Sequence, residues 1–93
     1  IMNYEWDEDK NTSNKRDHEG ISFEEAQTVW ADPMIKELYD TDHSVTEERF
    51  IAIGHSEKSR ILMVVFCEKN EDVIRIISAR RATSKEIKDY GEL

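Results

Sequence analysis

The sequence predicts an α+β fold with a mostly antiparallel sheet of four to five strands, two N-terminal helices and a C-terminal helix. Three observations support this fold class. Helix-capping signals stand near both ends of the chain, an unbroken apolar run at residues 61–67 has the length of a buried strand, and short polar turns flank that run. Short connections favour antiparallel neighbours, so the predicted order is β-α-α-β-β-β-β-α.

A first strand is predicted at residues 2–6, followed by a helix at 8–19 with Asp7 as its N-cap and Gly20 as its left-handed end. This helix has no apolar residue. One face, defined by the three-to-four spacing, carries Asn11, Asn14, Lys15 and His18. A helix that packs through such a face must satisfy its polar groups or line a binding site.

The second helix begins with the capping-box pattern of Ser22 and Glu25. It presents an apolar stripe formed by Phe23, Ala26, Val29 and Trp30. This stripe indicates a core contact rather than a cofactor site. Pro33 prevents the helix from continuing.

The remaining strands are predicted at residues 34–39, 49–53, 61–67 and 73–79, with turns at 40–46, 54–59 and 69–72. A second capping box, Thr83 and Glu86, opens the C-terminal helix, whose apolar side carries Ile87 and Tyr90. The 93 residues suffice for one domain, expected at residues 2–93, with Met2 as the native start and Ile1 as an added residue.

Composition points to a soluble protein that we expect in the cytoplasm. The sequence has no apolar run long enough for a membrane span, no secretory signal and a single cysteine, Cys67. The net charge is −8, but its distribution is uneven: −10 up to Glu48 and +2 from Arg49 onward. A site for a polyanion such as RNA is therefore expected in the second half, whereas the acidic half is best explained as a solvated surface.

No cofactor or metal is expected. The chain lacks the glycine-rich and metal-binding motifs, and the spacings of His18, His43, His55 and Cys67 match no zinc pattern. Cys67 lies in the most apolar strand, where a free cysteine is usually inert packing.

The remaining candidates for chemistry are cations, predicted to lie around one strand end: Arg49, Arg75, Arg80 and Arg81, with Lys85 and Lys88 beyond. Arginine binds phosphate through a fork of charged donors. Arg75 interrupts an apolar strand, so its guanidinium must reach solvent, a ligand or a carboxylate across the sheet. Strict alternation places Arg75 and Arg80 on opposite faces unless a bulge redirects one of them.

Cleavage of RNA without a metal needs a base for the 2′-hydroxyl proton, cations for the phosphate and an acid for the leaving oxygen. His18 and Glu48 are candidate proton carriers, and the arginines are candidate phosphate ligands. Each also has a structural interpretation: His18 as a helix cap, Glu48 as a surface acid and Arg75 as half of an ion pair.

The chain also resembles a known family over nearly its whole length. The matching residues are Tyr4-Glu5-Trp6-Asp7, Lys10, Asn14, His18, Gly20-Ile21-Ser22-Phe23-Glu24-Glu25-Ala26, Asp32-Pro33, Asp42-His43-Ser44, Glu47-Glu48-Arg49, Ile53-Gly54, Arg75-Ile76-Ile77-Ser78-Ala79-Arg80-Arg81-Ala82, Glu86 and Tyr90. In this order they resemble the BrnT family of bacterial type II toxins.

The resemblance implies a RelE-like fold and a metal-independent endoribonuclease that inhibits translation. It also implies a BrnA-like ribbon-helix-helix antitoxin as partner, a dimer of heterodimers, and DNA binding only through the antitoxin. By motif, the implied catalytic residues are His18, Glu48, Arg49 and Arg80, and the implied RNA-binding residues are Arg75 and Arg81. Lys15, on the polar face of the first helix, is a further candidate for RNA binding.

One departure leaves a second hypothesis open. The family commonly reads Lys-His-Gly after the first helix, whereas this chain reads Asp17-His18-Glu19-Gly20, which replaces a cation with an anion and adds a residue. Together with the acidic net charge, this departure is compatible with a weak or inactive homologue that acts only as an antitoxin-binding module or co-repressor.

Overall fold

The computed structural model describes residues 2–42 and 44–92; Ile1, His43 and Leu93 lie outside the described residues, and with them the expectations placed on Ile1 and His43. The elements in chain order are β1 (Asn3–Glu5), α1 (Glu8–Asp17), α2 (Phe23–Ala26), a 3₁₀ helix (Gln27–Ala31), β2 (Lys36–Tyr39), β3 (Phe50–His55), β4 (Ile61–Asn70), β5 (Val73–Arg81) and α3 (Ser84–Glu92). The predicted α+β class and element order are confirmed.

The five strands form one sheet in the order β1-β5-β4-β3-β2. The pairs β2–β3, β3–β4 and β4–β5 are antiparallel, as the short turns predict, and only β1 runs parallel to its neighbour β5. We call the face that packs against α1, α2 and the 3₁₀ helix the covered face, and the opposite one the open face. Helix α3 lies against one end of β3.

The hydrophobic core lies under the covered face. It contains the predicted helix residues Phe23, Ala26 and Val29, and the strand residues Ala52, Leu62, Val64, Phe66, Ile74, Ile76 and Ala79. Trp30 packs edge-on against Phe66, with ring centroids 5.0 Å apart, and is partly buried. The apolar stripe of the second helix is therefore a core contact, as predicted.

Helix α1 packs through its polar face because that face is bonded to the rest of the chain. The side chain of Asn14 donates to the carbonyl oxygens of Ile21 (2.9 Å) and Ala79 (2.8 Å) and accepts from the Ala79 N–H (3.1 Å). Asn11 accepts from the Phe23 N–H at 2.8 Å. Both amides are buried, so hydrogen bonds replace the apolar stripe that an amphipathic helix normally uses.

Local capping signals are largely confirmed. Asp7 accepts from the N–H groups of Asp9 and Lys10. Gly20 has the predicted positive φ, +76°, but Glu19 (φ 54°) is the first left-handed residue after the helix, and the Gly20 N–H donates to the Lys15 carbonyl. Thr83 and Glu86 form both halves of the second capping box. In the first box, however, only the bond from the Glu25 N–H to Ser22 Oγ forms.

Several element ends differ from the predicted ones. Helix α1 ends at Asp17 rather than residue 19, since Glu19 already has a φ of 54°. Strand β3 extends through Gly54 and His55, and β4 extends to Asn70, because both segments continue their ladders with neighbouring strands. The turns after β3 and β4 are correspondingly shorter than predicted.

A β-bulge in β5 changes which face its later residues occupy. Val65 pairs with Ser78 and Phe66 pairs with Ile76, so Ile77 is the extra residue. Before the bulge Ile74 and Ile76 are buried in the core, and after it Ala79 is. The bulge shifts the alternation by one residue, which brings Arg75 and Arg80 onto the same, open face.

Candidate functional site

The predicted site residues occupy three places. Glu48, Arg49 and Arg75 lie near Cys67, Arg80 lies against α3, and Lys15, His18 and Arg81 lie where α1 meets the end of β5. The prediction that the arginines surround one strand end is wrong: Arg75 is the third residue of β5, and only Arg80 and Arg81 stand at its end. At about 3.3 Å per residue, Arg75 and Arg80 are roughly 15 Å apart.

We call Glu47, Arg49, Lys69 and Arg75 the Cys67 cluster, because their charges act on the Cys67 thiol. Burial and the Glu47 carboxylate raise the pKa of Cys67, while Lys69, Arg75 and Arg49 oppose that rise. The thiol is 4% exposed, in agreement with its predicted role as packing. A cavity of about 490 Å³ beside the cluster is lined by Glu47, Glu48, Phe50, Cys67, Glu68 and Lys69.

Two arginines of this region differ in their bonding. Arg75 donates to the Glu5 carboxylate at 2.7 Å, which is the cross-sheet ion pair that the sequence left open as an alternative. Arg49 lies 3.6 Å from Glu47, and its Nε is buried without a hydrogen-bond partner among the described residues. Buried guanidinium nitrogens normally have an acceptor, so the bonding of Arg49 is less complete than that of Arg75.

Arg80 is held by the last helix. Its two terminal nitrogens donate to the two carboxylate oxygens of Glu86, each at 2.9 Å, and this fork raises the pKa of Arg80. The hydrogen bonds from Arg80 also lower the pKa of Glu86, although burial opposes them. Arg80 is thus presented on the open face in a fixed position, with about a third of its side chain exposed.

The third place lies on the covered face. His18 ends α1: its N–H donates to the Asn14 carbonyl and its own carbonyl accepts from Ile21. Lys15 in the last turn of α1 is exposed, as is Arg81, which pairs with Leu62 and therefore faces away from Arg80. His18 has the backbone role of a helix cap that the sequence offered as its structural interpretation.

A further polar cluster was not predicted from the sequence. Tyr90 of α3 donates to Asp32 Oδ2 at 2.5 Å, and its hydroxyl oxygen lies 3.1 Å from Nδ1 of His55. The N–H of His55 also donates to Asp32 Oδ2, and that of Met34 donates to Asp32 Oδ1. Asp32 and Tyr90 belong to the quoted family motifs, but nothing local in the sequence connects them with His55.

The geometry of this cluster fixes the protonation of two of its members. Burial would raise the pKa of Asp32, but hydrogen bonds from the His55 N–H, Tyr90 and the Met34 N–H outweigh it and lower that pKa to about 2. Burial, the Asp32 hydrogen bond and the Asp32 charge raise the pKa of Tyr90 to about 12. Asp32 is therefore an anion and Tyr90 a neutral phenol over the physiological range.

The cluster borders the larger cavity, an open groove of about 800 Å³. Its walls include Tyr4, Gln27, Trp30, Asp32, His55 and Glu57. The rings of Tyr4 and Trp30 pack together with centroids 5.3 Å apart, and 51% of the His55 side chain is exposed.

Among residues 2–42 and 44–92, no three His, Cys, Asp or Glu side chains are grouped closely enough to hold a metal ion. None of the described helices is long and apolar enough to cross a bilayer.

Comparison with known proteins bears on the whole fold. Residues 6–86 match the family model described as the ribonuclease toxin BrnT of type II toxin–antitoxin systems. The structure is similar to the crystal structure of the Brucella abortus ribonuclease toxin BrnT, with a TM-score of 0.68 and 24% sequence identity over 90% of this chain and 100% of that one. No curated protein matches the chain.

Proposed function

Because the chain belongs to the BrnT family of ribonuclease toxins from type II toxin–antitoxin systems, we propose that it is a metal-independent endoribonuclease. It cuts RNA in the cytoplasm, inhibits translation and is silenced by an antitoxin. The observation that carries the proposal is the match of residues 6–86 to the family model. The bulge in β5 adds support, since it brings Arg75 and Arg80 to one face on which an RNA strand can lie.

The spacing of the arginines suggests which of them bind the same phosphate of the RNA and which bind different ones. Arg80 and the pair Arg49 and Arg75 are too far apart to bind one phosphate, so we assign them to different phosphates of the same strand. Arg80 is our first candidate for the scissile phosphate because the Glu86 fork fixes its position. Glu48 and His18 remain candidate proton carriers, while Lys15 and Arg81 would contact RNA around the end of β5.

The partner that we propose is a ribbon-helix-helix antitoxin. The toxin and antitoxin would form a dimer of heterodimers that binds DNA only through the antitoxin. Some apolar surface is available for such a partner, since Leu38 is 45% exposed and Met34 is 58% exposed.

Two observations favour a second candidate function, that of an antitoxin-binding module without catalysis. Both Arg75 and Arg80 are already paired with carboxylates, and the net charge of −8 opposes binding of RNA. Inducible expression with and without the adjacent antitoxin gene separates the two functions. Growth arrest with loss of intact RNA, reversed by the antitoxin, supports the ribonuclease, whereas normal growth with intact RNA and tight antitoxin binding supports the module.

The sharpest variant is Arg80→Ala. We expect it to lower RNA cleavage by about a hundredfold to a thousandfold, as loss of a preorganised donor does, and to abolish toxicity while the protein stays folded. Glu86→Gln keeps the arginine but loses one acceptor of the fork, so its activity should lie between those of the wild type and Arg80→Ala. Arg16→Ala is the matched control, because Arg16 is 71% exposed on α1 and pairs with its exposed neighbour Asp17. Full growth arrest by Arg80→Ala would contradict the assignment.

A further inference from the structure

The groove beside α3 contains a histidine whose ring is oriented by two other side chains. Asp32 is ionised and can only accept hydrogen bonds, so the Tyr90 hydroxyl must donate to it. The oxygen of Tyr90 is then free to accept from Nδ1 of His55, 3.1 Å away. This sequence of bonds assigns the proton of the neutral imidazole to Nδ1 and leaves the lone pair on Nε2.

Such an arrangement is what a general base requires. A carboxylate, acting here through a phenol, fixes the tautomer of the imidazole and stabilises the imidazolium that forms on proton uptake. Asp32 is itself held by two backbone N–H groups, so the chain from Asp32 to His55 is rigid at its buried end. His55 stands at the end of β3 with half of its side chain exposed to the groove.

The groove also offers a surface for a nucleotide. The partly exposed rings of Tyr4 and Trp30 can stack on a base, and such stacking needs no particular base identity. Arg80 and Arg81 end strand β5, which lies two strands from β3 and therefore about 10 Å away. By register, Arg80 and Arg81 lie level with Ile53 and Gly54 and therefore near His55, whereas Tyr4 pairs with Ile74 near the other end of β5.

We propose that the groove binds a ribonucleotide of the RNA substrate and that His55 is the proton acceptor for its cleavage. This inference rests on the proposed ribonuclease function. Nε2 of His55 takes the proton of the 2′-hydroxyl, the 2′-oxygen attacks the adjacent phosphorus, and the bond from phosphorus to the 5′-oxygen breaks. The departing 5′-oxygen takes a proton from water, which gives a 2′,3′-cyclic phosphate and a 5′-hydroxyl. Tyr90 and Asp32 are positioning residues.

Two exposed carboxylates beside the groove work against RNA. Glu37 accepts a hydrogen bond from the Trp30 indole at 2.9 Å, and its charge acts on Tyr4. Glu57 is exposed on the rim, and its charge repels a phosphate more than that of Asp32, whose oxygens accept three hydrogen bonds. Neutralising Glu57 should therefore increase RNA affinity. Asp32 and Tyr90 contact the His55 ring, and Tyr4 and Glu57 line the same groove, so any change in the pH profile must be interpreted against these four.

The test uses the purified full chain and a single-stranded RNA oligonucleotide, with the 2′-deoxy oligonucleotide as a chemical control. His55→Gln should lower kcat by about a hundredfold or more, as loss of a general base does, with little change in KM. The acid limb of the pH–rate profile should disappear with it. Imidazole added to His55→Ala should restore part of kcat, which a merely structural histidine would not allow. Glu57→Gln should lower KM.

The positioning role has its own measurement. Tyr90→Phe removes the acceptor of the Nδ1 proton, so it should change the acid limb and lower kcat by about tenfold. Long-range ¹H–¹⁵N NMR spectra should show His55 as the Nδ1–H tautomer in the wild type, and that tautomer should lose population in Tyr90→Phe.

The possible failures are distinguishable. Wild-type protein that cleaves no RNA would overturn both the proposed function and this inference. Active wild type with an equally active His55→Gln variant, or loss of the acid limb in His18→Gln instead, would overturn the inference alone.

Discussion

On the covered face of the sheet, polar side chains are buried and bonded within the chain, whereas on the open face charged side chains reach solvent. Asn11, Asn14 and Glu25 are at most 6% exposed, and each is hydrogen bonded to a distant segment. About a third of the side-chain surface is exposed to solvent in Arg49, Arg75 and Arg80. Asn14, Glu25 and the three arginines all belong to the quoted family motifs, so motif residues divide into some that hold the fold together and others that are available to a ligand.

Two ion pairs, each between an arginine and a glutamate, show this difference in burial between the two faces. Arg60 binds Glu25 through both carboxylate oxygens, and Ser56 donates to the same carboxylate at 2.7 Å. The Glu25 side chain is 1% exposed, while in the pair of Arg75 with Glu5 both side chains are more than a third exposed. Burial should decide how much each pair contributes to stability, because solvent screens the exposed one.

The largest effect is expected for Glu25→Ala. Removing one partner of a buried pair leaves a charge uncompensated, so the free energy of unfolding should fall by about 3–5 kcal/mol. Denaturant unfolding at neutral pH measures it. The double variant Glu25→Ala, Arg60→Ala removes the stranded charge as well and should be less destabilised than the sum of its parts. A loss below about 1 kcal/mol would mean that the two faces do not differ in this way.

A smaller effect is expected from Asp32, which joins the covered side of the fold to α3. Its folded pKa of about 2 lies below the ordinary 3.8, so the ionised form is stabilised by folding. That contribution, about 2 kcal/mol, is present above pH 4 and is lost as the pH falls from about 4 to about 2. The difference in unfolding free energy between wild type and Asp32→Asn should shrink over that window.

The pH dependence of stability at alkaline pH provides a control for the Asp32 prediction. The pKa of Tyr90 is raised to about 12, so its neutral form is favoured by folding, and its contribution is lost between about pH 10 and 12. Tyr90→Phe should flatten this limb. If Asp32→Asn showed the same acid dependence as the wild type, another carboxylate would have to carry it.

The sequence predicted what is decided locally. The N-cap of Asp7 and the box of Thr83 and Glu86 need only a few neighbouring residues, and the apolar run of β4 is readable from its composition. The first box was predicted only in part, because the Glu25 carboxylate binds Arg60, 35 residues away, instead of its own helix end. A local pattern carries no information about such a partner.

The candidate site was harder to predict from the sequence, because it also depends on residues that are distant along the chain. The bulge at Ile77 determines the face of Arg80, yet it becomes visible only in the register between β4 and β5. His55 was considered only as a metal ligand, since its partners Asp32 and Tyr90 are 23 and 35 residues distant. The family motifs supplied residue types, whereas the fold decides which of them meet.

The smallest effect on stability is expected for Arg75→Ala on the open face. Its pair with Glu5 is half-exposed, so the free energy of unfolding should change by less than about 1 kcal/mol. RNA binding should nevertheless weaken, and the slope of log affinity against log salt should decrease by about 0.7, as loss of one phosphate contact to a single strand predicts. Arg16→Ala, which removes an equal charge from α1, should leave that slope unchanged. Since both variants lower the net charge equally, a decrease confined to Arg75→Ala would identify the open face as the surface that contacts phosphate, and equal slopes would remove Arg75 from it.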